Sequence, residues 1–321
     1  MNGTSDLATL DALRDAQRAI SGKLHRTPMM QSHALGRLID AQLLLKAELF
    51  QKTGSFKPRG AIAKLATLSV AEKERGVITI SAGNHAQGVA YAAGLLGIEA
   101  TVVMPEAAVR SKVEATRGYG ATVILHGTGK DLLPKCQELQ AERNLTFIPP
   151  FDDPHIIAGQ GTVGMEVIED VPSPDLVVVP VGGGGLISGV AAAIKLNSPR
   201  TRVVGVEPVG AAVMTKSLAD GAPAHWDSFA TIADGLAAPF AGTLNLAHVQ
   251  QFVDDIVLVT DEQIIAAMRL LMERCKLVAE PAGAAATAAL LAGRIAVPAG
   301  GTVVSIVSGG NVDRARLKEV L

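Results

Sequence analysis

Short runs of β-branched and aliphatic residues alternate along the chain with longer alanine-rich stretches. The short runs predict strands over residues 43–48, 77–80, 100–104, 122–125, 176–180, 203–207, 256–259 and 303–307. The longer stretches predict helices over 58–68, 85–96, 130–143, 157–169, 186–195, 261–275 and 283–292. Residues 1–19 predict a further amphipathic helix, with Leu7, Leu10, Leu13 and Ile20 on or near one face. Strand followed by helix, many times over, is the pattern of an α/β protein with mostly parallel sheets. The strands are apolar throughout rather than alternating, as expected when helices cover both faces of a sheet.

Composition narrows the picture. Of 321 residues, 48% are hydrophobic, 19% charged and 3% aromatic, with a formal net charge of -2. That is ample material for a core and excludes disorder. Near-neutral charge with few aromatics argues against a nucleic-acid surface, which needs a basic face. The two cysteines, Cys136 and Cys275, are too few for a disulfide framework or a metal cluster. They are expected reduced, in a cytoplasmic protein. No segment reaches the roughly 18 consecutive apolar residues of a membrane helix. The N-terminus lacks the basic start and apolar run of a secretory signal.

The 33 glycines cluster where chemistry is expected, because 81–88, 182–189 and 308–311 each follow a predicted strand. In open α/β sheets the ligand crevice lies outside the carboxyl ends of the strands. Three such turns point to one site assembled from distant parts of the chain. Pro149, Pro150 and Pro154 mark a crossing between two lobes, and 172–174 a surface turn.

Four segments carry candidate chemistry. In LVVVPVGGGGLISG (176–189) a buried strand runs into four glycines and then a helix. Gly182, Gly183, Gly184, Gly185 and Leu186 could hold a small phosphate by backbone amides alone. The run has neither the lysine of a nucleotide P-loop nor the spacing of a dinucleotide fold, and a plain flexible turn is the alternative. In KTGSFKPRGA (52–61), Lys57 stands just before Pro58, at or before a helix start. A helix N-terminus favours the neutral amine that a nucleophilic or Schiff-base lysine needs, and Phe56 and Ala61 suggest a buried setting. In SAGNHAQG (81–88), Ser81, Asn84 and His85 bring polar groups to a helix N-terminus, suited to a substrate carboxylate or to ordinary capping. In VVSIVSGGN (303–311) a strand delivers Ser308, whose hydroxyl could meet a ring nitrogen without forcing its protonation.

Together these segments resemble the fold-type II pyridoxal-phosphate enzymes, and within them the threonine/serine dehydratase and serine racemase family. The motifs TGSFKPRGA, SAGNHAQG, PFDDPHIIAGQGT, PVGGGGLISG, VEP and SGGN occur in the family's order, from His25 to Asn311. The resemblance implies two open twisted mostly parallel sheets flanked by helices, with a large cofactor-binding domain over 1–70 and 152–321 and a small domain over 71–151. It implies pyridoxal 5'-phosphate held as a Schiff base by Lys57, with Phe56 beside the ring and Asn84 on its phenolic oxygen. Gly182, Gly183, Gly184, Gly185 and Leu186 would cradle the phosphate, and Ser308 would meet the pyridine nitrogen. Ser81, Asn84 and His85 would surround the substrate carboxylate, with Asp234 and Gly235 in a loop facing the substrate. A homodimer or homotetramer is implied as well.

The expected reaction is dehydration and deamination of L-threonine, L-serine or a related β-hydroxy amino acid. The freed Lys57 amine takes the Cα proton, and the cofactor spreads the resulting charge. A serine at the ring nitrogen makes a weaker electron sink than a carboxylate would, which favours loss of the β-substituent. Racemases of the family have a serine where Ala82 stands and an amide where Phe151 stands, so dehydration is favoured over serine racemisation. A dehydratase for 3-hydroxyaspartate or a hydroxyectoine-pathway compound, or a non-catalytic phosphate-ligand binder, are the other readings. Some relatives hold a divalent cation. Here Glu207 could supply one ligand, but Val213 stands where a second carboxylate is expected and Ala211 could offer only a carbonyl, so no metal is expected. The chain ends shortly after SGGN, so no regulatory domain or isoleucine feedback is expected.

Overall fold

The computed structural model describes residues 7–226 and 228–320, so the first six positions of the N-terminal helix expectation lie outside the described residues. The strands are β1 (Met29–Gln31), β2 (Gln42–Ala47), β3 (Val77–Ile80), β4 (Ala100–Met104), β5 (Thr122–Leu125), β6 (Thr146–Phe147), β7 (Leu176–Pro180), β8 (Arg202–Pro208), β9 (Asp255–Val259) and β10 (Thr302–Val307). The helices are α1 (Leu10–Ile20), α2 (His33–Leu38), α3 (Lys57–Ala66), α4 (Val70–Arg75), α5 (Asn84–Leu96), α6 (Arg110–Gly118) and α7 (Leu132–Arg143). They continue with α8 (Pro154–Asp170), α9 (Gly185–Asn197), α10 (Val213–Asp220), α11 (Thr243–Phe252), α12 (Asp261–Leu270), α13 (Pro281–Leu291) and α14 (Arg314–Val320).

The strands form a six-stranded sheet in the order β1-β2-β10-β7-β8-β9 and a four-stranded sheet in the order β5-β4-β3-β6. Every pairing is parallel except β1 on β2. The uniformly apolar strands follow from burial on two faces. In the large sheet Leu176, Val178, Val204 and Val206 pack with Ile264, Ala267 and Ala285 from α12 and α13. Their neighbours Val177, Val179 and Val203 point the other way, onto Val163, Val167, Ile187 and Val190 of α8 and α9. The latter two helices cross in backbone contact, because a Cβ on Gly189 would collide with Ile157 O and with Gly161. The small sheet is covered by α5 through Val89, Ala90 and Ala93 and by α7 through Leu132, Cys136 and Leu139.

All eight expected strands are present, with ends shifted by at most one residue. Two strands carry no pattern of their own. Each is two or three residues long, and exists because a neighbouring strand offers it a ladder. The helix expected over 261–275 is α only to Leu270, then a π turn over Leu271–Cys275, closed by Lys276 in the left-handed region at φ 61°. Cys136 and Cys275 are both free. No helix among the described residues is long and apolar enough to cross a membrane.

Candidate active site

The turns after β2, β3, β7 and β10 converge on one cavity of about 450 Å³. Its wall contains every residue singled out above for a cofactor or substrate role: Phe56, Lys57, Ser81, Asn84, His85, Gly182, Gly183, Gly184, Gly185, Leu186, Gly235 and Ser308, together with Ala82, Phe151 and Asp234. Main-chain bonds pin these turns to one another. Phe56 N–H donates to Ser308 O (3.1 Å), Gly310 N–H to Gly54 O (2.9 Å) and Glu280 N–H to Gly309 O (3.1 Å). The strands thus deliver the turns, and the turns lock each other.

Lys57 is the first residue of α3, with Pro58 in the first turn. Its Nζ donates to Pro150 O at 3.1 Å and lies 5.2 Å from the centre of the Phe56 ring. Burial pulls the amine down from 10.5 to about 8, against the opposing pull of Glu280. The positive end of the helix acts in the same direction as burial. A fraction of this amine is therefore neutral near physiological pH, as a nucleophile requires.

The tetraglycine turn forms a bare cradle. Gly184 takes φ 102°, and a Cβ there would lie 2.6 Å from Met214 Cε and 2.7 Å from Asn245 Cβ. A Cβ on Gly185 would lie 2.8 Å from that of Phe151. The first helical bond comes from Ser188 N–H to Gly184 O at 3.0 Å. The amides of Gly185 and Leu186 precede it, so they stand outside the helical ladder on the cavity wall. An anion of phosphate size finds donors and a favourable dipole there without any side chain.

Asn84 is held in one orientation. Its Oδ1 accepts from Asn311 Nδ2 at 2.7 Å, and its own Nδ2 donates to Glu280 Oε1 at 2.6 Å. Asn311 Nδ2 also donates to Thr53 O at 2.7 Å. Glu280 and Asn311 have no role in the sequence reading above. A signal for Glu280 exists: it is the one charged residue between Lys276 and Arg294. Standing before Pro281, it looks like an ordinary cap, yet its side chain caps nothing and reaches across to α5 instead. Burial pushes its carboxyl up from 4.5 to about 7, aided by Asp234 and opposed by Asn84, Lys112 and Lys57.

His85 differs from the other two polar groups of its segment. Its Nε2 lies 2.9 Å from Thr79 Oγ1 and 3.2 Å from Ile148 O. Burial, with Lys57 nearby, lowers it to about 3, so the ring is neutral. The ring is bonded into the wall, and its main-chain amide in the first turn of α5 is the donor left for a ligand. Ser81 Oγ accepts from Gly83 N–H at 3.1 Å. Lys112 of α6 also lines the cavity and meets Asp234 at 2.7 Å; nothing in the sequence pattern marked it.

Glu207, considered above as a cation ligand, is committed elsewhere. Its carboxylate accepts from Met214 N–H (2.8 Å), Thr215 N–H (2.8 Å) and Thr215 Oγ (2.6 Å), at the N-terminus of α10. Val213 beside it is fully buried in the apolar core. The residues here do not fit a divalent cation, which wants several free oxygens.

A buried lysine facing a backbone anion cradle, at the carboxyl ends of a mostly parallel sheet, defines an enzyme that holds a phosphate-bearing carbonyl cofactor by an imine. The chain belongs to the pyridoxal-phosphate dependent enzyme family, whose model matches residues 20–309. It is 46% identical over 308 residues to the L-threonine ammonia-lyase of Thermotoga maritima, covering 96% of this chain and 76% of that protein. It is 43% identical to the catabolic L-threonine dehydratase TdcB of Escherichia coli strain K12, covering 100% of this chain and 98% of that one. Among solved structures it is similar to maize serine racemase, with TM-score 0.93 and 40% identity over 97% of this chain and 96% of that one. The processed form of threonine deaminase isoform 2 from Solanum lycopersicum gives TM-score 0.91 and 37% identity over 98% and 94%. The cofactor is pyridoxal phosphate, and the cavity's cradle and lysine fit it.

Proposed function

We propose that the protein is an ammonia-lyase that converts L-threonine to 2-oxobutanoate and ammonia, and L-serine to pyruvate and ammonia. Relatives named for threonine at 43–46% identity over nearly the full chain support this substrate. The observation that carries the chemistry is the buried Lys57 amine, pulled down to about 8, in one cavity with the glycine cradle.

When bound, pyridoxal phosphate supplies an aldehyde for imine formation and a conjugated ring that takes up the electron pair left as the Cα proton departs. Lys57 would anchor it at rest and, as a free amine, would take up the Cα proton of the substrate. Gly182, Gly183, Gly184, Gly185 and Leu186 would hold its phosphate by main-chain donors, Phe56 would lie beside the ring, and Ser308 would offer a hydroxyl to the ring nitrogen. Asn84 would donate to the phenolic oxygen with the N–H that Glu280 leaves unused. Ser81, Asn84 and the first-turn amide of His85 receive the substrate carboxylate, and Gly235 lets the Asp234 turn approach it. Loss of the β-hydroxyl as water and hydrolysis of the resulting enamine to oxo acid and ammonia balance the reaction.

Ala82 lines the cavity and has no proton to deliver, so dehydration is favoured over racemisation. We also propose a cytoplasmic enzyme assembled as a homodimer or homotetramer, which sedimentation of the purified protein tests. The function is tested with purified holoenzyme and L-threonine, measuring oxo acid and ammonia together. Wild type should release them in equal amounts and lose its visible colour on borohydride reduction, whereas Lys57→Ala should do neither. Oxo-acid release by Lys57→Ala at the wild-type rate would overturn the proposal.

A further inference from the structure

Glu280 is a carboxyl group buried on the cavity wall, 5% exposed, with no part in the chemistry assigned above. Its side chain does not cap its own helix, and its polar partner is Asn84 Nδ2. On the far side Asn84 Oδ1 is fixed by Asn311, which is itself tied to Thr53 O. The amide of Asn84 therefore cannot flip: one N–H is spent on Glu280, and the other makes no bond among the described residues on a side chain that lines the cavity. Three charged groups face Glu280 from the surrounding elements: Lys57 on α3, Lys112 on α6 and Asp234 in the segment between α10 and α11.

We propose that Glu280 is a positioning residue that holds Asn84 as donor to the cofactor and couples that contact, and the charge on the Lys57 imine, to its own proton. The inference rests on the function proposed above. As a carboxylate, Glu280 pulls on the Asn84 amide and favours a positive charge at the nearby Lys57 nitrogen. As a neutral acid it still accepts from Asn84, but more weakly, and it attracts no charge. Burial already places this exchange near neutrality, at about pH 7. A gain or loss of one proton on Glu280 would then be read out both in the visible absorbance of the bound cofactor and in the pH profile of kcat/KM.

Two variants separate positioning from mere packing. Glu280→Gln keeps an acceptor oxygen for Asn84 and cannot titrate. Glu280→Ala removes the acceptor as well. The expected results with holoenzyme are a wild-type absorbance that titrates near pH 7, a flat response in Glu280→Gln with the cofactor retained, and about tenfold weaker cofactor binding in Glu280→Ala, the effect of one ordinary hydrogen bond.

A second readout uses protein stripped of cofactor. A carboxyl raised from 4.5 toward 7 by burial contributes stability that is complete below pH 4.5 and is lost as pH rises through 7. The melting temperature of Glu280→Gln should fall less than that of wild type between pH 5 and 8. Wild-type titration of both the absorbance and the melting temperature in Glu280→Gln would overturn the inference. A wild-type protein that never takes up pyridoxal phosphate would instead overturn the function on which it rests.

Discussion

Lys112 on α6 and Asp234 in the segment between α10 and α11 meet at 2.7 Å, tying a helix beside the four-stranded sheet to a turn of the six-stranded sheet's half of the chain where both residues line the cavity. The side chain of Asp234 is 64% exposed and that of Lys112 19%, so salt screens the pair and its worth is about 1 kcal/mol or less. Lys112→Met should raise the KM for L-threonine by up to about fivefold at low ionic strength. The difference from wild type should shrink in high salt. Steady-state kinetics across a salt series checks this, and an effect independent of salt would show that the pair is no electrostatic latch.

Ala82 gives a test on reaction choice. Racemisation needs an acid or base on each face of Cα, and Lys57 accounts for one. With L-serine, wild type should release far more pyruvate than D-serine. Ala82→Ser should increase the D-serine to pyruvate ratio by at least about tenfold, a small part of the roughly hundredfold or more that a well-positioned proton donor contributes. Chiral chromatography of the reaction mixture, alongside pyruvate assay, measures both products.

Gly184 combines a left-handed φ of 102° with closely packed surroundings. Alanine there meets Met214 and Asn245 and adds strain of roughly 1–3 kcal/mol. Gly184→Ala should weaken pyridoxal-phosphate binding by about tenfold or more, since the amides of the cradle must shift with it. Absorbance titration of stripped protein reads the affinity, and circular dichroism confirms that the fold persists.

Beneath Lys57, the same helix carries Arg59, fully buried among ionised partners. It donates to both oxygens of Glu48 (2.8 Å each) and of Glu166 (2.7 and 2.9 Å), and to Thr162. Lys46 completes the group at 2.6 Å from Glu166. The two cations balance the two anions. Arg59→Met would leave a buried excess of negative charge and should cost about 3–5 kcal/mol. Urea unfolding monitored by fluorescence of Trp226 measures the loss. A double variant that also removes the charge of Glu48 should recover part of it.

Glu207 supplies a pH prediction away from the cavity. Burial raises its carboxyl from 4.5 to about 7, outweighing three donors from Met214 and Thr215. A raised folded value means that stability is complete below pH 4.5 and declines as pH rises through 7, by at most roughly 3 kcal/mol for this group. Glu207→Gln should flatten that decline while losing stability at every pH, because an amide cannot accept from all three donors. Melting curves from pH 4.5 to 8 show both effects.

The chain's pattern alone determined eight of the ten strands, the alternation with helices and the cluster of turns at strand ends. Burial on two faces writes a continuous apolar run into the sequence, and a cradle that side chains would block writes a run of glycines. That Lys57, Asn84, Ser308 and Gly182 to Leu186 share one cavity was legible because each sits in a local motif with its own physical reason. Glu280, Asn311 and Lys112 were not. Their partners lie 196, 227 and 122 positions away, and no local periodicity encodes a side-chain contact across such distances. Tertiary packing also committed the ring of His85 to Thr79 and Ile148, and turned Glu207 from a candidate ligand into the anchor of α10. Such assignments depend on which donors folding brings within about 3 Å of a buried oxygen or nitrogen, and that is set only when the two sheets and their turns come together.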